Sequence, residues 1–418
     1  MRSVLVVVLA LTAGSTLTAQ RASVVPQEFT AFVHANLVDV RGGTIVADAT
    51  LVVRDGKIVS AGPGGAPAGA KVYDLGGRYV VPGLIDTHTH LASLRAARTA
   101  LQSGVTTVRS AGVSSYVDVG LRELVKKGAV VGPDIVAAGY HVRPVLAEEA
   151  FVDHPELSDL MGGGVTTAAA ARRVIAANAA HHVDAIKVLA TERAGTADTD
   201  PREQVYTKEM LREVVQEAAA HGLPVLAHAH GAEGALAAVK AGVRSIEHGT
   251  YLTDEALQLM KEKGTYFVPT YATVVDLVEP GGDYDNRDLH LRGEHMLPRL
   301  KEAVVRAHRL GVKVVTGADT SYGPNSVTRI SQEVAAFVEF GFTPAEALRS
   351  ATTLAAECLR VEKTTGALEP GLDADLVVVE RNPLEQIGTL KDVLFVMSNG
   401  RVGLNRLTFG KTAATAIR

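Results

Sequence analysis

The 418-residue chain is short of several features that anchor or cross-link proteins: it has one cysteine, no tryptophan and only 5% aromatic residues. A single thiol, Cys358, excludes an intramolecular disulfide and any cysteine-built metal site. It follows Ala355 and Ala356 in a helix-like run, where a small buried apolar residue is expected. With so few aromatics, a stacking platform for sugars or bases is not expected. Neither sign of charge dominates. The net charge of −4 and a pI near 6.4 give no reason to expect nucleic acid or a membrane as partner. Long apolar runs are also missing, apart from Val4 to Ala13. That run follows Met1 and Arg2 and precedes the small, polar stretch Ser15 to Ala19. This order reads as an export signal over residues 1–19, cut before Gln20, and the run is too short to anchor the chain in a bilayer. The expected location is periplasmic or secreted.

What is present is an ordinary globular composition, 47% hydrophobic and 21% charged, arranged in two textures. Residues 30–82 alternate as short strands broken by turns, with Asp55-Gly56 as a hairpin signal because glycine accepts the positive φ of a tight turn. The C-terminal part repeats that texture, with Asn399-Gly400 as its turn. Residues 27–82 plus 366–408 are therefore expected to form one small β-sandwich domain built from both chain ends.

Residues 83–365 read differently. Short apolar runs ending in polar residues (LIDTHTH, VTTVRSAG, DIVAAGY, AIKVLA, PVLAHAH, RSIEHGT, YFVPTY and VKVVTGAD) alternate with helical stretches at 118–128, 166–181, 208–221, 232–241, 254–263 and 293–309. Near-continuous apolar strands between amphipathic helices indicate a parallel sheet covered by helices, and eight such units indicate an α/β (β/α)8 TIM-like barrel. A doubly wound open sheet is the alternative on pattern alone.

In such a barrel, catalytic groups stand at the C-terminal strand ends. His88 and His90 end the first strand and, two apart, point to the same side. Lys187 lies in the fourth strand, His228 and His230 end the fifth, His248 ends the sixth, and Asp319 follows the eighth. Each has a plain structural account: a satisfied polar pair, a lysine snorkelling to solvent, an aspartate capping a helix. Taken together, those accounts need independent accidents at several strand rims.

The segment PGLIDTHTH resembles the signature of the amidohydrolase superfamily, and GADT at 317–320 resembles its eighth-strand aspartate motif. Lys187, with HAHG at 228–231 and EHGT at 247–250, is similar to the imidazolonepropionase-like branch, and more narrowly to binuclear prolidase-like peptidases and ochratoxin-degrading amidases. The resemblance implies two divalent ions, zinc being typical of the family. His88, His90 and Asp319 would hold the inner one, and His228 and His248 the outer. Lys187, carboxylated by carbon dioxide, would bridge them as a carbamate. A neutral, buried amine is required for that reaction. The two cations would share a water and lower its pKa, Asp319 would move its proton, and His230 would hydrogen-bond the scissile carbonyl. Tyr140, His141 and Arg143, after the third strand, are expected near the pocket mouth, where a cation suits a carboxylate. Tyr271 is expected to line the leaving-group pocket. The remaining histidines, His34, His154, His181, His182, His221, His290, His295 and His308, are read as non-catalytic.

The expected function is hydrolysis of an amide bond next to a C-terminal amino acid in a small-molecule substrate (a dipeptide or an N-acyl amino acid) by a homo-oligomeric enzyme. A mononuclear cyclic-amide hydrolase or deaminase is the enzymic alternative, which Lys187 disfavours because one ion needs no bridge. A non-catalytic binding barrel is the alternative from another class.

Overall fold

The computed structural model describes residues 28–282 and 284–408, so the export signal expected over residues 1–19 lies outside the described residues. The chain opens with β1 (Thr30–Asp39), β2 (Thr44–Arg54), β3 (Lys57–Gly62), β4 (Lys71–Asp74) and β5 (Tyr79–Pro82). Asp55 and Gly56, with φ of 51° and 77°, make the two-residue turn between β2 and β3. Both positive values match the turn whose twist suits flanking strands. The C-terminal strands β13 (Leu376–Val379), β14 (Phe395–Ser398) and β15 (Arg401–Asn405) share this sheet. Asn399-Gly400 turns β14 into β15 in the same way. The two turns touch: a Cβ on Gly400 would stand 2.6 Å from Gly56 Cα, so neither position admits a side chain.

Strands from both ends form one eight-stranded sheet ordered β15-β14-β13-β5-β1-β2-β3, with β4 on β1. Laid flat, β1 and β14 would be three ladders, roughly 14 Å, apart. Instead the rings of Phe32 and Phe395 are 5.3 Å apart, with Tyr73 stacked on Phe32. The sheet therefore curls over its own apolar core, which includes Leu51, Ile58, Leu376 and Met397.

The middle of the chain supplies two parallel ladders. One is β6 (Leu84–Thr89), β7 (Val105–Ser110) and β8 (Asp134–Ala137). The other is β9 (Ile186–Leu189), β10 (Val225–Ala229), β11 (Ser245–His248) and β12 (Tyr266–Val268). Most residues of these strands are buried on both faces, as helix-covered parallel strands require. Val142 joins the ladders by pairing with Lys187 and Leu189 of β9.

The expected eighth strand is not regular. Around Val314 and Thr320 the chain makes single parallel bridges, to β12 and β6 respectively. Its amides bind where they can: Val315 to Phe267 O, Asp319 to His88 O, and Ala318 to the Asp86 side chain. Asp319 itself is left-handed, which ends any strand there.

The expected helices appear at Val117–Lys126, Ala168–Ala180, Lys208–Ala220, Ala232–Ala241, Asp254–Lys263 and Arg287–Leu310. Thr167, Thr207 and Thr253 cap three of them, and left-handed Gly242, Gly264 and Gly311 end three. The last of these six starts earlier than the expected 293. Asn286 caps it at residue 287, and its Pro298 does not break it. Helices Leu94–Gln102, Ile330–Glu339 and Pro344–Ser350 were not expected individually, and the helix-like run around Cys358 is helix Thr353–Leu359. Cys358 is a buried free thiol in the last of them. Among the described residues, no helix is long and apolar enough to cross a membrane.

Candidate metal centre

The C-terminal ends of the parallel strands surround a cavity of about 660 Å³. Into it project His88 from β6, Lys187 from β9, His228 from β10 and His248 from the end of β11, with His90, His230 and Asp319 just beyond strand ends. Three backbones at this rim are left-handed without glycine: His248 (φ 73°), Thr270 (φ 51°) and Asp319 (φ 47°). Each costs on the order of 1 kcal/mol and is held by its surroundings.

Every histidine of the group has one ring nitrogen occupied by a supporting group. His88 Nδ1 is 2.6 Å from Glu247 Oε2, and His90 Nδ1 is 2.7 Å from Gly112 O. His230 Nδ1 meets Thr250 Oγ1 at 2.9 Å, and His248 Nδ1 meets Thr270 Oγ1 at 2.8 Å. His228 is reversed: its Nε2 faces Glu192 O at 3.1 Å, leaving Nδ1 free. A hydrogen bond to one nitrogen fixes ring orientation and leaves the other to bind a ligand.

The free atoms gather in two groups, His88/His90/Asp319 and His228/His230/His248, each within 4.8 Å. Asp319 Oδ1 lies 3.5 Å from His88 Nε2 and 3.2 Å from His90 Nε2. Two ligands of one tetrahedral ion at about 2.1 Å are about 3.4 Å apart, so this donor set fits a divalent cation.

Burial sets the protonation of the group. It lowers the His88 pKa to about 4, with Lys187 adding to the effect. It lowers His230 to about 3 and holds His228 and His248 well below the ordinary imidazole value. All four are neutral near pH 7, as metal binding requires. Burial also lowers the Lys187 amine to about 8, which raises its neutral fraction near pH 7 by more than about a hundredfold over an ordinary lysine. Burial opposes ionisation of Asp319, but His88, His90 and Lys187 outweigh it and pull the carboxyl below its usual range.

Beneath the cavity, Glu247 accepts from Arg109 Nη2 at 2.8 Å, and Arg109 Nε donates to Thr87 O at 2.7 Å. Burial opposes the charge of Glu247, yet Arg109 and His88 hold its pKa at about 2. Sequence reasoning noticed Glu247 only inside a motif string and missed Arg109, Gly112, Thr250 and Thr270. The available signal was an acid within a strand otherwise destined for burial, which must find a cation.

The residues proposed for specificity separate. His141 lines the main cavity, its ring 6.1 Å from that of His90. Tyr140 and Arg143 instead line a side cavity of about 150 Å³, which shares Gly112 and His141 with the main one. The Tyr140 hydroxyl donates to Asp153 Oδ2 at 2.5 Å and accepts from Ser115 N. Tyr271 does not face the main cavity. The chain turns at left-handed Thr270 into helix Tyr271–Asp276, which puts the Tyr271 ring against Phe340 at 4.8 Å. Thr270, Thr273, Val274 and Leu277 line the cavity in its place.

This site and fold define a class, and comparison with known proteins gives the same one. The pattern of the Amidohydrolase family matches residues 79–403, and the chain belongs to that family. That family is one of metal-dependent hydrolases. Ochratoxinase of Aspergillus niger is 32% identical over 208 residues, 50% of this chain and 43% of that protein, so the match spans less than half of that relative's length. Imidazolonepropionase of Sphingopyxis alaskensis (strain DSM 13593 / LMG 18877 / RB2256) is 26% identical over 378 residues, 80% of this chain and 87% of that protein. Among solved structures, a Xaa-Pro dipeptidase with methionine bound in its active site superposes with a TM-score of 0.81 at 28% identity, covering 90% of this chain and 99% of that one.

Proposed function

We propose that the chain is a two-metal amidohydrolase that cleaves the amide bond next to a C-terminal amino acid, in a dipeptide or an N-acyl amino acid. The observation that carries this reading is the set of five histidines, each held through one nitrogen by a supporting group, around one cavity. In this reading the two ladders and the bridging segment at 314–320 form a (β/α)8 barrel, and the curled sheet is the sandwich beside it.

His88, His90 and Asp319 would hold one ion, and His228 and His248 the other, zinc suiting both sets. Lys187 Nζ is 3.3 Å from His88 Nε2, and its charge also lowers His228, His230 and His248, which supports a bridging role. As a neutral amine it would add to carbon dioxide and lose a proton, giving a carbamate with an oxygen for each side. Two bound cations would supply water activation and polarisation of the scissile carbonyl. Asp319 would take the proton of the attacking water on a carboxylate oxygen and deliver it to the leaving nitrogen. His141 and Arg143 would meet the substrate's α-carboxylate, with Tyr140 holding the wall behind them.

His230 has two roles to distinguish. With Thr250 donating to Nδ1, its Nε2–H would donate to the carbonyl oxygen. Its place in the three-histidine group favours the other tautomer, with Nε2 as a ligand. Metal analysis of protein purified without chelator tests the whole reading. Two ions per chain, with hydrolysis of Xaa-Pro, Xaa-Phe or N-acyl amino acids, are expected. Less than one ion per chain would overturn it. Export and a homo-oligomeric state belong to the same proposal. The N-terminal sequence of the mature protein and its mass in solution test them.

A further inference from the structure

Two arginines stand at the mouth of this site. Arg143 is half-buried in the side cavity, and Arg193 lines the main cavity from the loop after β9. Among the described residues neither makes a side-chain hydrogen bond or an ion pair, whereas other arginines of the chain, such as Arg109, Arg122, Arg173 and Arg292, are tied to carboxylates or carbonyls. The two are also close enough to repel. Burial and the neighbouring Arg193 push the Arg143 guanidinium below its ordinary value, with Glu149 acting only at a distance against them.

Arg193 is not carried on a loose loop. From helix Arg287–Leu310, Arg292 donates to four carbonyls of that loop: Ala194 at 2.6 Å, Thr196 at 2.7 Å, Ala197 at 3.1 Å and Thr199 at 2.6 Å. Tyr284 packs over Gly195, where a Cβ would come within 2.8 Å of its ring. The backbone under Arg193 is therefore fixed, which a merely solvated arginine does not need. The main cavity's other cation, Lys187, belongs to the metal centre, while Leu189, Ala194, Val274 and Leu277 make apolar wall.

Each of two adjoining cavities thus receives one arginine without a partner, and neither arginine lines the other's cavity. One carboxylate would satisfy one of them. We infer that the enzyme selects doubly anionic substrates, amides of acidic amino acids, with the α-carboxylate on Arg143 and the side-chain carboxylate of the C-terminal residue on Arg193. This rests on the amide-hydrolase reading above and goes beyond it by naming the amine half. Guanidinium and carboxylate match in a two-pronged, charge-assisted geometry, which discriminates strongly against a neutral amide of the same shape.

The test uses the metal-loaded full chain with Leu-Glu, Leu-Gln, Leu-Phe and Glu-Leu. The expected kcat/KM for Leu-Glu exceeds that for Leu-Gln by about tenfold or more. Arg193→Gln should bring that ratio close to one, and Arg143→Gln should lower Leu-Glu and Leu-Gln together. Metal content and circular dichroism of each variant report that it is folded. Equal rates for Leu-Glu, Leu-Gln and Leu-Phe would leave the amide-hydrolase reading standing and overturn this inference. So would a preference for Glu-Leu over Leu-Glu, or an equal loss on Leu-Glu and Leu-Gln in Arg193→Gln, which would make Arg193 a second ligand of the α-carboxylate. If none of the dipeptides is cleaved, this inference falls, while the amide-hydrolase reading is decided by metal content and by N-acyl amino acids.

Discussion

The two donor groups of the cavity are built from similar side chains but supported differently. His88, His90 and Asp319 include a carboxylate, and His88 leans on the ionised Glu247, itself held by Arg109. His228, His230 and His248 are all neutral imidazoles, backed by a carbonyl and two threonine hydroxyls. A carboxylate behind a histidine raises its basicity as a ligand, and a hydroxyl does so less. If both groups take a cation as proposed, the first would hold it more tightly than the second. The face with the weaker hold is also the one beside Arg193, whose charge reaches His228.

Removing the member between the groups should have the largest effect. Lys187→Ala is expected to lose most bound metal and to lower turnover by orders of magnitude, with partial rescue by added short carboxylates. Full activity in that variant would remove the bridge. Asp319→Asn should fold and retain the ion at His228 and His248 while kcat falls by about 10²- to 10⁴-fold, and wild-type turnover would exclude it as the proton carrier. Next come the supports. Glu247→Gln should weaken metal binding by about 10- to 100-fold, and Thr270→Val by clearly less. Competition with a chelator measures both, and equal losses would erase the contrast between the groups.

The smallest expected effect is on the metal-free protein. Its buried histidines have folded-state pKa values below their ordinary 6.5, so the unfolded chain binds more protons in the interval beneath 6.5. Stability should therefore fall as pH drops from about 6.5 toward 4. Glu247, depressed from 4.5 to about 2, contributes stability present above 4.5 and lost below it. Urea midpoints of chelated protein across this range test the sign. A flat profile would mean that the rings are hydrated rather than buried.

Much of this was legible because strand ends carry their chemistry in the residue order. The spacing of His88 and His90, and a lysine within an apolar strand, announce a buried polar function without coordinates. Tyr271 shows where that legibility stops. Sequence places it at a strand end, but the left-handed turn at Thr270 sends its ring outward, and nothing local marks a threonine for positive φ. Arg193 was invisible for a related reason. Its role depends on Arg292, about a hundred residues later, fixing its loop, and such long-range contacts leave no local pattern. The eighth strand was legible as an apolar run, but its irregularity follows from hydrogen bonds to Asp86 and His88 that only the assembled rim supplies.

The pairing of β5 with β13 has a consequence for how the chain is made. Val81 sits in register with Val377, about 300 residues later. During synthesis β5 must wait, its edge uncovered, until residues 376–379 have emerged. A ribosome-bound chain truncated before residue 370 would present that edge to other chains, and native assembly would begin with the helix-covered parallel strands. The sheet then closes only once residues 376–405 have been made.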